Sequence, residues 1–487
     1  MTSIRFGTDG WRAVIAGDFT FANVRAVVCA IARYLAKQGK GRRGVVVGYD
    51  TRFLSDAFAR EAGRVLEAHG IPVFMVQRPT PTPLVAFAVV HHGADGAIMF
   101  TASHNPPQYN GIKFIPDYGG PATPDITQGI EAELPRALRE ADTLRLPDAP
   151  RAEILDIWPA YVRHLDGLVD WNTVERAALS AVVDPMYGAG QGLVHQLLAA
   201  RGWTVAELHG TRDPLFGGRL PEPTEAHLTA LREAVVAGKA HLGLANDGDA
   251  DRFGVVDGDG TYLTPNQVLV LLAHHLLARR GWKGALVRTV ATTHLLDRVA
   301  ERFGVPLVET PVGFKYVGEA MRRQPVVVGG EESGGLSVLG HIPEKDGILA
   351  NCLIAEMRAA EGRSLREALA DLERKYGRAV HRRLDLRLRD DVKRVLIEAL
   401  RQAPPSSLGG RRVQEVSAAD GVKLRLEGDA WVLVRPSGTE PLIRVYLEAE
   451  TEAQLQVLQE AVRTLLARAE EHARAVRTGS ENGNSPR

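Results

Sequence analysis

Ala97-Ile98-Met99-Phe100 runs without interruption into Thr101-Ala102-Ser103-His104-Asn105-Pro106-Pro107-Gln108-Tyr109-Asn110. The four apolar residues read as a buried strand. The ten residues after it are rich in Ser, Asn and Pro and cannot extend a ladder, because proline offers no N–H and short polar side chains favour turns. In sheets wound from strand, helix and strand, ligand loops sit at such strand ends. The same transition recurs along the chain. Val45 to Val47 leads into the polar turn Tyr49 to Arg52, and Ala181-Val182-Val183 into Asp184-Pro185 with Gly188, Gly190 and Gly192. Leu242 to Ala245 leads into an acidic stretch and Pro325 to Gly329 into a glycine-rich one. Stretches such as the helix Gln267 to Arg279 separate these strands, so α/β domains are predicted.

At ~150 residues per domain, 487 residues make three to four domains and exclude a single small module. Residues 1–150, 151–258 and 259–375 read as three α/β units. Leu384 to Gly410 changes character, with alternating Arg and Asp followed by Ala403-Pro404-Pro405-Ser406-Ser407, which puts the last boundary near Tyr376. Residues 376–477 read as α+β. There Trp431 to Val434 and Leu442 to Glu448 form paired strands around Arg435 to Pro441, and Leu455, Leu458, Val462, Leu465, Leu466 and Ala469 recur at helical spacing. The polar tail 478–487 reads as disordered.

Lys+Arg and Asp+Glu both total 59, so no global field draws in nucleic acid or an acidic membrane, and any anion site must be local. Aromatic residues at 6% weaken base-stacking readings. Cys29 and Cys352 stand in unrelated contexts and suggest neither a disulfide nor a thiolate metal site. The N-terminal residues lack a signal peptide pattern, and the longest near-apolar run, Val268 to Ala278, is broken by His274 and His275. A cytoplasmic protein with no membrane or nucleic-acid partner is expected.

Asn246-Asp247-Gly248-Asp249-Ala250-Asp251-Arg252 places carboxylates at alternate positions, a density of like charge that is costly without a cation between them. It is not an EF-hand: counted from Asp247, Arg252 stands where the turn glycine belongs and Gly258 where the bidentate Glu belongs. Three oxygen ligands with room for a fourth suit Mg²⁺ beside a phosphate. The nearby Asp257-Gly258-Asp259-Gly260 reads instead as a hairpin turn between Val255-Val256 and Tyr262-Leu263.

Three further loops carry chemistry-bearing residues. Ser103 has His104 beside it and Lys113 a short way on, although neighbours in extended backbone point to opposite faces and no G-x-S-x-G elbow is present. Gly329-Gly330-Glu331-Glu332-Ser333-Gly334-Gly335 offers carboxylates and a hydroxyl, the acceptors a sugar reader needs. Arg435-Pro436-Ser437-Gly438-Thr439-Glu440-Pro441 offers a guanidinium, two hydroxyls and a glycine, which fits a phosphate cradle or a plain hairpin turn, but not a Walker A loop.

These four loops, in this order, resemble those of the α-D-phosphohexomutase superfamily, the phosphoglucomutases and phosphomannomutases, over nearly the whole chain. The resemblance implies four domains around a central cleft, three related mixed α/β domains and a smaller C-terminal α+β domain. It implies that Ser103 carries a phosphoryl group and that its oxygen, with Asp247, Asp249 and Asp251, holds Mg²⁺. Arg12, in Phe6-Gly7-Thr8-Asp9-Gly10-Trp11-Arg12, Lys113 and His104 become the candidates for catalysis and proton transfer. Arg252, Lys315, Glu331, Ser333, His341 and Lys345 are implied to bind the sugar phosphate, and Arg435, Ser437, Gly438 and Thr439 to clamp its phosphate.

The implied reaction moves a phosphoryl group from Ser103 to a hexose monophosphate, lets the 1,6-bisphosphate turn around, and returns the other phosphate to Ser103. Glucose 1,6-bisphosphate would be intermediate and activator, and the enzyme a monomer or homodimer. Thr310-Pro311-Val312-Gly313-Phe314-Lys315-Tyr316 and His341-Ile342-Pro343-Glu344-Lys345-Asp346-Gly347 look most like a bacterial-type phosphoglucomutase, which favours glucose 1-phosphate. Phosphomannomutase and phosphoglucosamine mutase are the alternatives within the same chemistry. A Mg²⁺-dependent sugar phosphatase and a non-catalytic sugar-phosphate binding protein are the alternatives outside it.

Overall fold

The computed structural model describes residues 4–7, 9–436 and 442–482. It divides into two compact units, Met1–Val287 with Gly313–Leu369, and Arg288–Val312 with Ala370–Arg487.

The first unit opens on a six-stranded sheet in the order Trp11–Val14, Tyr109–Pro116, Gly96–Phe100, Val45–Tyr49, Val73–Val76, Glu153–Leu155. Val45–Tyr49 pairs in parallel with Gly96–Phe100 and Val73–Val76, whereas Tyr109–Pro116 runs antiparallel to Gly96–Phe100, so the sheet is mixed. The antiparallel turn-back is the serine-bearing segment itself. Gly96–Phe100 is buried throughout, and this central strand delivers the chain to Thr101 with no slack. Phe21–Lys37 covers one face. Thr20 caps it by accepting the Asn23 N–H at 3.3 Å, and Val24, Val27, Val28, Ile31 and Leu35 are buried in the core beside Phe58, Ile98 and Phe100.

A five-stranded sheet comes next in the order Tyr262–Leu263, Phe253–Asp257, Leu242–Asn246, Ser180–Asp184, Thr204–Glu207. Its central strand, Leu242–Asn246, is buried at every position and ends at the acidic loop, after which Phe253–Asp257 returns antiparallel. Val255 faces Leu263 and Val256 faces Tyr262, the hairpin that the Asp257–Gly260 turn predicts. Later in the unit, Pro265–Ala278 begins with a full capping box between Thr264 and Gln267, and Val326–Gly330 pairs with Leu336–Val338 around the glycine-rich loop. The helix Gly347–Glu361 is buried from Gly347 to Arg358, a layer between sheets rather than a surface element.

The second unit contains an antiparallel sheet in the order Val380–Arg387, Leu442–Ala449, Trp431–Pro436, Val422–Leu426, Arg411–Ser417, Ser407–Leu408. Asp390–Gln402 and Glu452–Asn482 bury Leu396, Leu400, Leu455, Leu458 and Val462 with Val432 and Val445 in one core. Leu384 to Gly410, whose change of character puts the boundary before it near Tyr376, carries its Arg/Asp alternation on a half-exposed strand followed by an amphipathic helix. The last helix continues to Asn482, past Thr478, because extending an existing helix costs far less than starting one.

Candidate active site

Ser103 sits in a left-handed backbone conformation, φ 48°, uncommon for a residue with a side chain, and its N–H donates to Thr101 Oγ1 at 2.8 Å. Strain of this kind persists only when the surroundings enforce it. The enforcing group is Arg52, fully buried, whose Nη1 donates to Pro106 O at 2.8 Å and Tyr109 O at 3.0 Å. Its Nη2 donates to Ser103 O at 2.7 Å and Asn105 O at 2.6 Å. Asp50 neutralises that guanidinium at 3.2 Å. One planar cation thus gathers four carbonyls and fixes the course of the loop. Gln108 and Tyr109, which the sequence leaves without a role, close it: Ile15 N–H donates to Gln108 O at 2.8 Å, and Tyr109 starts the returning strand.

Ser103 Oγ donates to Asp247 Oδ2 at 2.7 Å and lies 3.4 Å from His104 Nδ1. Asp247, Asp249 and Asp251 are buried, and each offers an oxygen within 4.8 Å of the others. Burial, then Asp251 and Asp249, drive the Asp247 carboxyl well above the usual carboxylate range. Asp249 is pushed up by burial, yet Lys113 and the Thr82 hydroxyl, which donates to Oδ2 at 2.6 Å, outweigh that and leave it lowered. Asp249 Oδ1 and Asp251 Oδ1 are buried without a hydrogen-bond partner. Orphaned carboxylate oxygens beside a carboxyl that resists ionisation fit a divalent cation, and an all-oxygen donor set fits a hard one such as Mg²⁺. Ser103 Oγ is adjacent to them through Asp247.

Two ammonium groups flank the carboxylates. Lys113 Nζ lies 2.8 Å from Asp9, 2.9 Å from Asp249 and 3.1 Å from Asp251, and Lys345 Nζ lies 3.1 Å from Asp251. Burial alone would lower the Lys113 pKa, but its three carboxylates hold it well above the ordinary lysine range. The opposite holds at His104, where burial and then Arg252, Arg12 and Arg52 hold the imidazole pKa well below the ordinary histidine range. Arg12 Nη1 donates to Asn105 Oδ1 at 2.6 Å, and Arg252 N–H donates to Asp247 Oδ1 at 3.0 Å while its Nη1 meets Glu222 at 3.3 Å. The structure therefore brings Arg12, Ser103, His104, Lys113, Asp247, Asp249, Asp251, Arg252 and Lys345 into one constellation.

The remaining candidates lie in other loops. Glu331 is buried, accepts the Gly313 N–H at 3.1 Å and is pushed up to about 7 by burial. Ser333 is half-buried, and the Lys315 ammonium lies 5.2 Å from the Tyr316 ring. His341 has its whole side chain buried, with Nδ1 2.9 Å from His164 Nε2 and Nε2 2.9 Å from Asp346 Oδ2. In the second unit Arg435 Nε donates to Asp420 Oδ2 at 2.8 Å, and Ser437, Gly438 and Thr439 lie outside the described residues. Sequence reasoning missed Asp9, Arg52, Thr82 and Glu344, the last lying 3.8 Å from Lys345 Nζ. Asp9 and Glu344 stood inside quoted motifs, and Arg52 closed a turn at the end of a strand, the signal that located the other loops. Thr82 carried none.

The chain matches the Phosphoglucomutase/phosphomannomutase family in all four of its domains: alpha/beta/alpha domain I over residues 3–140, domain II over 159–260, domain III over 264–376 and the C-terminal domain over 396–465. The chain belongs to the phosphoglucomutase/phosphomannomutase family, within the α-D-phosphohexomutase superfamily, and is an isomerase of the mutase type. It is 32% identical to a phosphoglucomutase/phosphomannomutase of Thermococcus kodakarensis over 92% of this chain and 95% of that protein. It is 34% identical to a protein of Pyrococcus abyssi named "Probable phosphoglucosamine mutase", over 95% and 97%. A Thermus thermophilus protein of known crystal structure, provisionally named phosphomannomutase, is 37% identical with a TM-score of 0.84 over 96% of this chain and 100% of that one.

Proposed function

We propose that the protein interconverts hexose 1-phosphates and hexose 6-phosphates through phosphorylated Ser103, with glucose 1-phosphate and glucose 6-phosphate as its pair. The observation that carries this reading is Ser103 Oγ held at 2.7 Å from a buried carboxylate of a three-aspartate cluster. In the first step the bond between phosphorus and Ser103 Oγ breaks as a sugar hydroxyl oxygen bonds to phosphorus, and the hydroxyl proton ends on Ser103 Oγ. The second step reverses this at the other end of the bisphosphate. We assign that proton to His104, whose Nδ1 lies 3.4 Å from Oγ, with Lys113 and Arg12 as the other candidates. Asp247, Asp249, Asp251 and Ser103 would hold Mg²⁺, which when bound neutralises phosphoryl charge during transfer. Glu331 and Ser333 read sugar hydroxyls, Arg252, Lys315 and Lys345 meet the substrate, and Arg435 with Ser437, Gly438 and Thr439 clamps its distal phosphate.

The test is a coupled assay with glucose, mannose and glucosamine 1-phosphates in parallel, with Mg²⁺ and a trace of glucose 1,6-bisphosphate, while tracking free phosphate. Conversion without phosphate release supports the mutase, and the highest kcat/KM names the sugar. Stoichiometric phosphate release points to the phosphatase reading. The glucosamine substrate is a second reading favoured by the 34% identity to the P. abyssi protein.

Asp249→Asn removes one charge and one of the orphaned oxygens. The Mg²⁺ concentration for half-maximal rate should rise about 10- to 100-fold, with kcat falling too, and an unchanged titration would remove Asp249 from the metal site. Glu331 gives a pH signature. Its carboxyl, raised to about 7 by burial, is ionised and accepting above that pH and protonated below it. KM for the hexose phosphate should therefore rise as pH falls from 8 to 6 in the wild type. Glu331→Gln should have a raised KM that no longer shows this component, and parallel profiles would refute the assignment.

A further inference from the structure

Lys345 reaches the carboxylate cluster from a loop whose backbone is held at both sides. Gly347 N–H donates to Ala250 O in the metal loop at 3.1 Å, and Asp346 N–H donates to Leu336 O at 3.0 Å. The Lys345 stem lies on Gly335, where any Cβ would run into Lys345 Cδ. Between these anchors stands Asp346, with no exposure. Its Oδ1 caps the helix Gly347–Glu361 by accepting the N–H groups of Ile348 and Leu349, both at 2.9 Å. Its Oδ2 accepts the Tyr161 hydroxyl at 2.6 Å and is 2.9 Å from His341 Nε2. His341 Nδ1 in turn lies 2.9 Å from His164 Nε2.

The chemistry of this chain of groups is constrained. His341 bridges Asp346 and His164, so both of its ring nitrogens are engaged and its ring cannot turn without breaking one of the two hydrogen bonds. The rings are packed as well as bonded: His164 stacks on His341 at 5.1 Å, and Phe87 lies 4.9 Å from His164 and 5.7 Å from Tyr161. Both Tyr161 and His164 belong to the helix Trp158–Leu165, and their side-chain hydrogen bonds tie that helix to Asp346 directly and through His341.

We infer that Tyr161, His164 and His341 are positioning residues that act through Asp346 to hold the Lys345 ammonium at Asp251, so that they set the affinity of the three-aspartate cluster for a divalent cation. The inference rests on the metal-site reading of Asp247, Asp249 and Asp251 but not on turnover. A fixed ammonium 3.1 Å from Asp251 opposes a second cation there, and loosening it relieves the opposition.

The experiment measures Mn²⁺ binding to the full-length protein by calorimetry or electron paramagnetic resonance, with no substrate present. Tyr161→Phe removes one hydroxyl and keeps the ring packing, and His164→Gln is the second probe. Each should tighten Mn²⁺ binding about three- to tenfold and lower kcat, and neither should change Mn²⁺ binding in a Lys345→Met background, the coupling expected of residues acting through that lysine. An unchanged Mn²⁺ affinity in both single variants overturns the inference, as does an equal shift with and without Lys345. Absence of Mn²⁺ binding by the wild type would instead overturn the metal-site reading. Loss of mutase activity in the wild type would leave the Mn²⁺ comparison intact and refute only the reaction.

Discussion

Ser103→Ala will reduce hexose phosphate isomerisation by about four orders of magnitude or more, the scale seen when a covalent nucleophile is removed from a site that acts as a unit. The oxygen that would carry the phosphoryl group is lost, and no neighbouring group can replace it. Thr101 Oγ1 is occupied by the Ser103 N–H at 2.8 Å, and the Thr82 hydroxyl is committed to Asp249 at 2.6 Å. The fold should survive, because the variant removes only the hydrogen bond to Asp247 and the long one to His104, about 1 kcal/mol each at most, and the left-handed backbone is held by Arg52 rather than by the hydroxyl. Three measurements distinguish this from misfolding. Denaturant unfolding should remain close to wild type, the phosphoserine-containing peptide should vanish from the mass spectrum, and turnover should not return with added glucose 1,6-bisphosphate. Near-wild-type turnover would sink the phosphoserine mechanism. Loss of turnover with a large loss of stability would show that the hydroxyl is mainly structural.

What the sequence made legible obeys one physical rule. Strands buried on both faces must be apolar throughout, so Ala97–Phe100 and Leu242–Ala245 announced themselves, and the polar loops after them marked where a ligand can be met. The three aspartates were legible because like charge at alternate positions is hard to explain without a cation. The partners of those loops were not legible, since they arrive from distant segments: Thr82 is 167 residues from Asp249, and Lys113 is 136. His341 shows the limit most clearly. A histidine beside a loop that delivers a lysine reads as a ligand for substrate, yet both its ring nitrogens are engaged by His164 and Asp346. No spacing rule reveals that a side chain is already satisfied. The Arg/Asp alternation from Leu384 marked a change of unit but not its own structure, because a half-exposed strand can carry charge on its open face and still pair, here with Leu442–Ala449.

Arg52→Lys will fail to restore what Arg52→Met destroys, and this is the sharpest test of how the serine is held. Arg52 offers a planar fork in which Nη1 and Nη2 each serve two carbonyls, while Nε faces Asp50 at 3.2 Å and the guanidinium carbon lies 4.9 Å from the Phe216 ring. Arg52→Met leaves four carbonyls and the buried Asp50 carboxylate without their cation. Breaking a buried pair in this way costs about 3–5 kcal/mol. Lysine keeps the charge but has three donors on a point-like head and cannot span carbonyls from residues 103 to 109 in one plane. Its ammonium can satisfy Asp50 or part of the loop, not both. Stability should therefore recover in part in Arg52→Lys. The rate should not, because a loop displaced by about 1 Å carries Ser103 Oγ out of line, an error worth about 100-fold in kcat. Unfolding midpoints and kcat measured on both variants decide the matter. If Arg52→Lys matches the wild type in rate, the arginine only balances the charge of Asp50, and the strained backbone at Ser103 must be held by the paired strands Gly96–Phe100 and Tyr109–Pro116 alone.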